Sequence, residues 1–500
     1  MSRSVISLAA GAAVLVALLA APFARAGDAL AGSQRFVPVG PAAGLGPEPA
    51  RAAPARAGIS ASTRQRARDR RARRAVAVAL SAARAPGGIS RAAFVSYRDL
   101  YARARRTRKR LDGARGRELG AVLATLEAIA LHDELTSSRM KALFLILKRN
   151  VEFWPRRPFP RDRDRVTFRG SQIVFEYYRG RGLQLQPLVN FKKANLMHAA
   201  CVRDTGEPCD RPGLARLLDE MAKVSARRGG FRAWEYYFDF GGGRPPWVSG
   251  MAQATGVQAL GRSAQLLGDP RLLVYAREAL GAFRSAPPIG IATRGPLGGT
   301  HYLQYSFTPR LYILNAFLQS VIGLLDYARI TGDDEARELY EAAEPEARAE
   351  VPRHDTGEWS KYSYRGRDST AAYHELLREF LRSLCGRLRT SVYCDTADRF
   401  ALYAVEPPEL ELLGPELVTR GEQTRVRFSL SKLSAVQITI TRDGRLALDR
   451  VATFRRGRRS FAWRPRATGV YSIRLAAKEL RTGRDLRARV SGQVGSFPPG

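Results

Sequence analysis

WEYYFDFGGGRPPWVSGMAQATGVQALGR at 234–262, HYLQYSFTPRLYILNAFLQSVIGLLDYA at 301–328 and HDTGEWSKYSYRGRDSTAAYHELLREF at 354–380 decide how this chain folds. Each opens as an aromatic, turn-rich loop and runs into an apolar segment with helical spacing. Loops face solvent and carry binding and chemistry, whereas helices bury their apolar stripe. Three such loop–helix units in succession predict a helical toroid that presents a polar pocket at its loop end. The tyrosines, the arginine and the histidine of these loops are the candidate pocket residues.

The helical period extends outward from this stretch. Helices are predicted over 214–225, 249–267, 271–283, 311–330, 334–347 and 370–388. Ser249 and Thr370 are N-cap residues, and Asp269-Pro270 and Thr331-Gly332-Asp333 stop the helices before them. Upstream, within 91–151, LGAVLATLEAIALHDEL and SRMKALFLILKRN also read as helices. RVTFRGSQIVFEYYRGRGLQLQPLVNF reads as a short strand pair followed by a loop. After Pro407-Pro408 the period drops to two. TRVRFSLS, AVQITITRDGRLAL and GVYSIRLAAKEL are alternating strands, and Arg442-Asp443-Gly444 signals a hairpin turn. The expected fold class is mainly α: an α/α toroid, an incomplete or full (α/α)6-type barrel, over 89–404. An antiparallel, Ig-like β-sandwich follows over 405–500.

The bulk numbers bound the partners. With 500 residues, 45% of them hydrophobic, the chain has room for about two to four domains with real cores. Its 82 basic and 47 acidic residues leave a net charge of +35. Such a field attracts polyanions: acidic polysaccharides, anionic envelope polymers, lipid headgroups or nucleic acid. Arg3, the apolar run 5–21 and Ala24-Arg25-Ala26 read as a secretory signal peptide, residues 1–26, with an uncleaved membrane anchor as the alternative. A secreted or envelope-associated location follows. It removes nucleic acid as a partner and favours an acidic polysaccharide substrate and an anionic cell-envelope surface. Residues 27–88 are rich in Ala, Arg, Pro and Gly and read as a disordered basic linker, with RQRARDRRARR at 64–74 as its most charged part, disordered or a solvated helix.

Four cysteines fit export. The local pairing, Cys201 with Cys209 and Cys385 with Cys394, needs the least chain rearrangement of the three possible. These spacings do not match a zinc knuckle, and the five histidines form no HExxH, so no zinc catalyst is expected. No GxSxG elbow is present, which counts against a serine hydrolase.

GLQLQPLVNFKKAN, PPWVSGMAQATGVQALGR, YILNAFLQSVIGLLDYA, HDTGEWSKYSY and AAYHELLREFL together resemble the C-terminal domain of D-glucuronyl C5-epimerases. The resemblance covers 182–388 and rests on the order of WxSxMAQ, ILNxFxxSxIGLxD, DTGxxSxY and a later YH. The β-rich region that animal members carry before the barrel is not evident. The family inverts C5 of glucuronic acid residues within a heparan-type polymer, and its catalytic domain is an α/α barrel, so an isomerase acting on a uronan is implied. Tyr362, after DTG, and Tyr373, in YH, are then the implied proton-transfer groups. Arg365 is the implied clamp on the uronate carboxylate. His374 is implied to orient Tyr373 or the sugar, and Tyr305 holds a family position suited to binding or relay.

The chemistry is demanding. The C5 proton lies next to a carboxylate, so its removal piles negative charge on that group. One residue takes the proton, another returns it from the opposite face, and cations or hydrogen-bond donors stabilise the intermediate. A free tyrosine titrates near pH 10, so it serves as base only where cations depress that value. Animal members have Glu-Tyr-Pro before the ILN helix, with that glutamate assigned as a base. This chain has Gln304-Tyr305-Ser306, and an amide hydrogen-bonds a carboxylate but does not accept a proton at physiological pH. Glu235, Asp239 and Glu358 are the candidate replacement bases. Asp355 is a weaker one, because Asp before Thr-Gly is often a turn residue. Gln186, Asn190 and Lys193 are candidate saccharide contacts, Trp247 is a candidate sugar-stacking face, and Gly241-Gly242-Gly243 permits close approach of backbone to ligand. No cofactor is required, and a divalent cation stays an open option. Two rival functions remain: a uronan lyase that shares the first proton abstraction, and a non-catalytic envelope protein that binds polyanionic glycans.

Overall fold

The computed structural model describes residues 61–86 and 88–499; the expected signal peptide and residues 27–60 of the expected linker lie outside them. The chain is mainly helical, with strands gathered toward its C-terminus. It divides into two compact units between Ala347 and Arg348.

The described part of the first unit begins with four helices: α1 (Ala61–Ala82), α2 (Arg91–Arg110), α3 (Gly113–Leu131) and α4 (Ser137–Phe153). The expectation of disorder through residue 88 is corrected for α1. Its VAVALSA end buries Val76 and Leu80, and Ala and Arg are strong helix formers, so an apolar stripe outweighs the repulsion of the arginine run. Strands β1 (Arg165–Val166), β2 (Phe175–Tyr178) and β3 (Gly182–Leu185) form an antiparallel sheet where a strand pair was expected.

Helices α5 (Pro187–Val202) and α6 (Arg211–Lys223) follow, then the hairpin β4 (Ala226–Arg228) and β5 (Phe231–Ala233). Next come α7 (Gly250–Leu267), α8 (Arg271–Ala279) and α9 (Gly281–Arg284). The hairpin β6 (Ala292–Arg294) and β7 (Thr300–Tyr302) leads to α10 (Leu314–Thr331) and α11 (Asp334–Glu350). Helices α7 and α10 are buried on nearly every face, as a helix with apolar or small residues all round must be. They touch closely because Gly323 has no side chain: a Cβ there would stand 2.6 Å from the Ala254 carbonyl oxygen.

A polar seam crosses the core of α5, α7 and α10. Gln319 donates to Thr255 at 3.2 Å, and Gln258 donates to Asp326 at 2.7 Å. Arg262 closes on the same carboxylate at 2.6 Å and on Asn195 at 2.9 Å. Buried polar groups require such partners, so the seam fixes the relative rotation of the three helices.

The second unit takes in the last residues of α11, then a short 3-10 turn, Val351–His354, and a looped stretch to 370. Helices α12 (Ala371–Leu388) and α13 (Ser391–Tyr403) follow, stapled by Cys385–Cys394; the other disulfide, Cys201–Cys209, lies in the first unit. Both bridges have the expected local pairing. Then come β8 (Leu410–Gly414), β9 (Leu417–Thr419), β10 (Thr424–Leu430), β11 (Ser434–Arg442), β12 (Arg445–Phe454), β13 (Gly457–Trp463), β14 (Gly469–Glu479) and β15 (Arg487–Phe497). They build two sheets, β13-β10-β8 and β12-β11-β14-β15-β9, antiparallel except for the β15–β9 pair. Alternate residues of both sheets, among them Phe428, Phe461, Ile438 and Leu475, join one apolar cluster. The β11–β12 turn is Asp443-Gly444, with φ of +50° and +72°, the positive-φ hairpin that Asp-Gly favours.

Residues 348–404 share a unit with the strands, and side chains from the loops between strands bind the backbone at and beside its ends. Lys432 Nζ donates to the Tyr403 and Glu406 carbonyls at 3.0 and 2.6 Å, and Arg456 donates to the Thr356 carbonyl at 2.8 Å.

Candidate active site

In the second unit the segment after His354 folds back on itself. Asp355 pairs across to Ser360 and Lys361 to Asp368. The Tyr362 amide bonds the Arg367 carbonyl at 2.9 Å, and the Gly366 amide bonds the Ser363 carbonyl at 2.9 Å, so 363–366 is a tight turn. Arg365 occupies its third position with φ of +52°. An L-residue there pays roughly 1 kcal/mol that glycine does not. The turn holds the Arg365 side chain exposed at the tip of the hairpin that also carries Tyr362. Residues kept in costly backbone conformations cluster at functional sites.

Tyr373 stands on the first turn of α12, whose N-cap Thr370 accepts from the Tyr373 amide at 3.4 Å. Its ring meets that of Tyr362 with centroids 4.7 Å apart at 58°. The two phenols expected to work together are therefore adjacent, although eleven positions separate them in sequence.

The neighbouring His374 is not a sugar contact, which corrects one expectation. It is buried and stacked on Trp359 at 3.7 Å. One ring nitrogen meets the Phe400 carbonyl at 2.9 Å and the other the Ser360 hydroxyl at 2.8 Å. Burial pulls its pKa down to about 4, so at neutral pH the ring is uncharged: Nε2–H donates to Phe400 and Nδ1 accepts from Ser360. His374 thus locks α12 against the hairpin. Asp355 is the turn residue its sequence context suggests, accepting from the Gly357 amide at 2.8 Å and from Tyr403 at 3.1 Å. Glu358, a candidate base, is buried and accepts from Leu433 N and Arg481, both at 2.6 Å. A carboxylate so engaged has lost the open face a base needs, and its role is that of an anchor.

In the first unit, the segment 303–306 runs beside the start of α7. Gly250 N bonds Leu303 O at 3.0 Å and Ser306 N bonds Val248 O at 3.0 Å. Ser249 caps α7 by accepting from Ala252 N and donates its hydroxyl to Gln304 Oε1 at 3.3 Å. Tyr305 joins an aromatic group with Phe307, Phe240 and Trp247, at 5.3, 5.5 and 5.6 Å between centroids. Trp247 lies flat on Tyr236 at 4.1 Å, is buried, and donates its indole N–H to Phe238 O. It is a packed ring, not an open platform for sugar. Gly243 fits this group because a Cβ would strike the Phe307 ring at 2.3 Å; its backbone approaches an aromatic side chain.

The remaining candidates of this unit separate by burial. Asn190 is wholly buried and tied to Val174 and Gln186 backbone, so it serves the fold. Gln186 caps α5 through Leu188 N at 3.0 Å and accepts from Tyr236 at 3.0 Å. Lys193 holds both oxygens of Gln172 at 2.7 Å. Glu235, offered as a substitute base, is buried between Arg139 at 2.8 Å and Arg228 at 2.7 Å and also accepts from Tyr237. These three partners make it a structural counter-ion. Asp239 stays exposed.

Sequence reading passed over Gln253. It is the last residue of the WxSxMAQ pattern, one turn after Ser249, buried, and neither amide atom has a hydrogen-bond partner among the described residues. Its signal was a polar residue on an otherwise apolar helix face. A cavity of about 600 Å³ between α1 and the start of α4, lined by Arg71, Arg74, Val78, Leu131 and Ser137, includes none of the expected site residues.

Residues 228–401 match the family described as D-glucuronyl C5-epimerase C-terminus. A D-glucuronyl C5-epimerase of Caenorhabditis elegans is 31% identical over 179 residues, which are 32% of this chain and 29% of that protein. An uncharacterized protein of Methanocaldococcus jannaschii is 26% identical over 180 residues, 35% of this chain and 58% of that protein. The match thus spans less than two thirds of either relative. Among solved structures, an alpha-mannanase from Bacteroides thetaiotaomicron aligns with a TM-score of 0.36 at 10% identity, covering 48% of this chain and 66% of that one. A sugar epimerase from a ruminal bacterium aligns with a TM-score of 0.32 at 10% identity, covering 44% and 60%. Similarities this low carry no argument about function.

Proposed function

We propose, because residues 228–401 match the family described as D-glucuronyl C5-epimerase C-terminus, that this protein inverts C5 of uronic acid residues in an acidic polysaccharide. The observation that carries the reading is the Tyr362–Tyr373 pair at 4.7 Å, with Arg365 at the tip of the Tyr362 hairpin. One phenolate takes the C5 proton, and the C–H electron pair moves into the carboxylate, giving an enediolate held by the Arg365 guanidinium. The other phenol delivers a proton to the opposite face. The electron pair returns to C5, and the two tyrosines end with exchanged protonation states that solvent resets. In the first unit, by itself, Gln304 and Tyr305 are offered as saccharide-binding groups, and Asp239 is the exposed carboxylate left among the replacement bases.

The finer architecture belongs to the same reading: the helices of 89–404 as an α/α toroid and the two C-terminal sheets as an Ig-like sandwich. So do export through the N-terminal signal and attraction of a polyanionic glycan by the +35 charge. A second reading is favoured by Gln304 itself: a catalytically silent glycan-binding protein of the envelope. Incubation with heparosan-like and other uronans in heavy water, read at C5 by NMR, tests the proposal. Deuterium at C5 without chain cleavage supports epimerisation. An ultraviolet-absorbing unsaturated sugar means a lyase. Salt-sensitive binding with no exchange on any uronan leaves only the silent binder.

A further inference from the structure

The hairpin that carries Tyr362 and Arg365 is gripped from outside the family-matched segment. Arg481 lies in the loop between β14 and β15. That loop is fixed by Glu479, a buried carboxylate that accepts from the Arg481 amide at 2.5 Å, the Thr482 amide at 2.9 Å and the Thr482 hydroxyl at 2.6 Å. From this base the Arg481 side chain, only 12% exposed, reaches two carboxylates. Nη1 bonds Glu358 Oε2 at 2.6 Å and Nη2 bonds Asp368 Oδ2. Glu358 precedes the outgoing strand of the hairpin, and Asp368 sits on the returning one opposite Lys361. Lys361 itself bonds the Gly366 carbonyl at 3.1 Å and faces Asp368 at 3.5 Å. The planar guanidinium therefore closes a clamp across both ends of the turn.

We infer that Arg481 is the positioning residue of this site: the C-terminal sheets set the placement of Tyr362 and Arg365 through a bidentate Arg481–Glu358/Asp368 clamp. The inference rests on the epimerase reading for its catalytic consequence but not for its geometry. It gives the β-strand region a task in catalysis, although that region lies beyond the matched residues. The strain at Arg365 fits: a left-handed arginine persists only where its surroundings over-determine it. Lysine cannot replace the clamp, because a point charge does not span two carboxylates. Asp368 reports the same field. Burial pushes its carboxyl up, yet the hydrogen bond and charge of Arg481, together with Lys361, hold it below the usual aspartate range.

The test uses the full chain with three variants: Arg481→Met, Arg481→Lys and Asp368→Asn, the last loosening one jaw only. Arg474→Met, an exposed arginine of the same sheet, is the control. C5 exchange kinetics are read beside a fluorine signal from 3-fluorotyrosine placed at Tyr362, with a second label at Tyr471 in the strand core. Expected is a kcat about 100-fold lower in Arg481→Met with KM within about threefold, little rescue by lysine, and a smaller loss in Asp368→Asn. The Tyr362 signal should shift or broaden while Tyr471 stays still, and Arg474→Met should match the parent. A Tyr362 signal unmoved in both Arg481→Met and Asp368→Asn overturns the inference, as does an equal disturbance of Tyr471. If the parent itself exchanges no C5 proton, the epimerase reading falls, and the fluorine signals alone decide whether the clamp positions the hairpin.

Discussion

Tyr362 and Tyr373 meet with ring centroids 4.7 Å apart at 58°. One ring comes from a strained hairpin and the other from the first turn of a capped helix. The contact between rings contributes to packing, and the proposal assigns the chemistry to the hydroxyls, so removal of oxygen alone tests it. In Tyr362→Phe and Tyr373→Phe, which keep the ring contact, C5 exchange per folded molecule should fall by about 100-fold or more in each. Parent-like exchange in both variants would remove the tyrosine assignment.

Arg365 offers a test in which stability and activity move in different directions. At φ of +52° glycine is unstrained. Arg365→Gly should leave unfolding free energy unchanged or raise it by up to about 1 kcal/mol, since relief of strain offsets the looser unfolded chain. Exchange activity should collapse with it. Arg365→Ala removes the same charge without relieving the backbone and should be the less stable of the two. Urea unfolding beside exchange assays would settle both points.

Gln304→Glu restores a carboxylate where the Ser249 hydroxyl already donates at 3.3 Å. If the missing base limits turnover, exchange should rise by about tenfold or more. No change would mean that the residue at 304 does not limit exchange.

Glu235→Gln separates a structural acid from a catalytic one. The carboxylate is buried against Arg139 and Arg228, and neutralising it removes the counter-charge of Arg228 and one of the two that face Arg139, whose other partner is Glu134. The expected cost is about 3–5 kcal/mol in urea unfolding, with exchange per folded molecule unchanged. Asp239→Asn, at an exposed position, should not alter stability.

The buried His374 makes stability fall in acid. Desolvation depresses its pKa to about 4, against about 6.5 when unfolded. The folded state therefore binds a proton more weakly than the unfolded one. Its contribution is fully present above pH 6.5 and is lost as the pH falls toward 4, amounting to about 3 kcal/mol. Unfolding free energies at pH 7, 5.5 and 4 should decline in that window, and the His374 ring proton signals should not titrate above pH 5.

Local chemistry was legible before any coordinates. Ser249 and Thr370 cap their helices, Asp443-Gly444 turns its hairpin, and each cysteine pairs with its near neighbour. These depend on residues within a few positions of one another, where side-chain type and backbone preference settle the outcome. The motifs around Tyr362 and Tyr373 were legible for the same reason. Burial and pairing across distant segments were not. Asn190, Glu235, Trp247 and His374 all look like site residues in a string of letters, yet each is committed to partners in the interior. Arg481 looks like one more surface arginine among many, and only the fold brings it to Glu358 and Asp368. A polar side chain announces that it needs a partner, and the tertiary structure decides whether that partner is protein or is left for a ligand, because desolvation is set by everything packed around it.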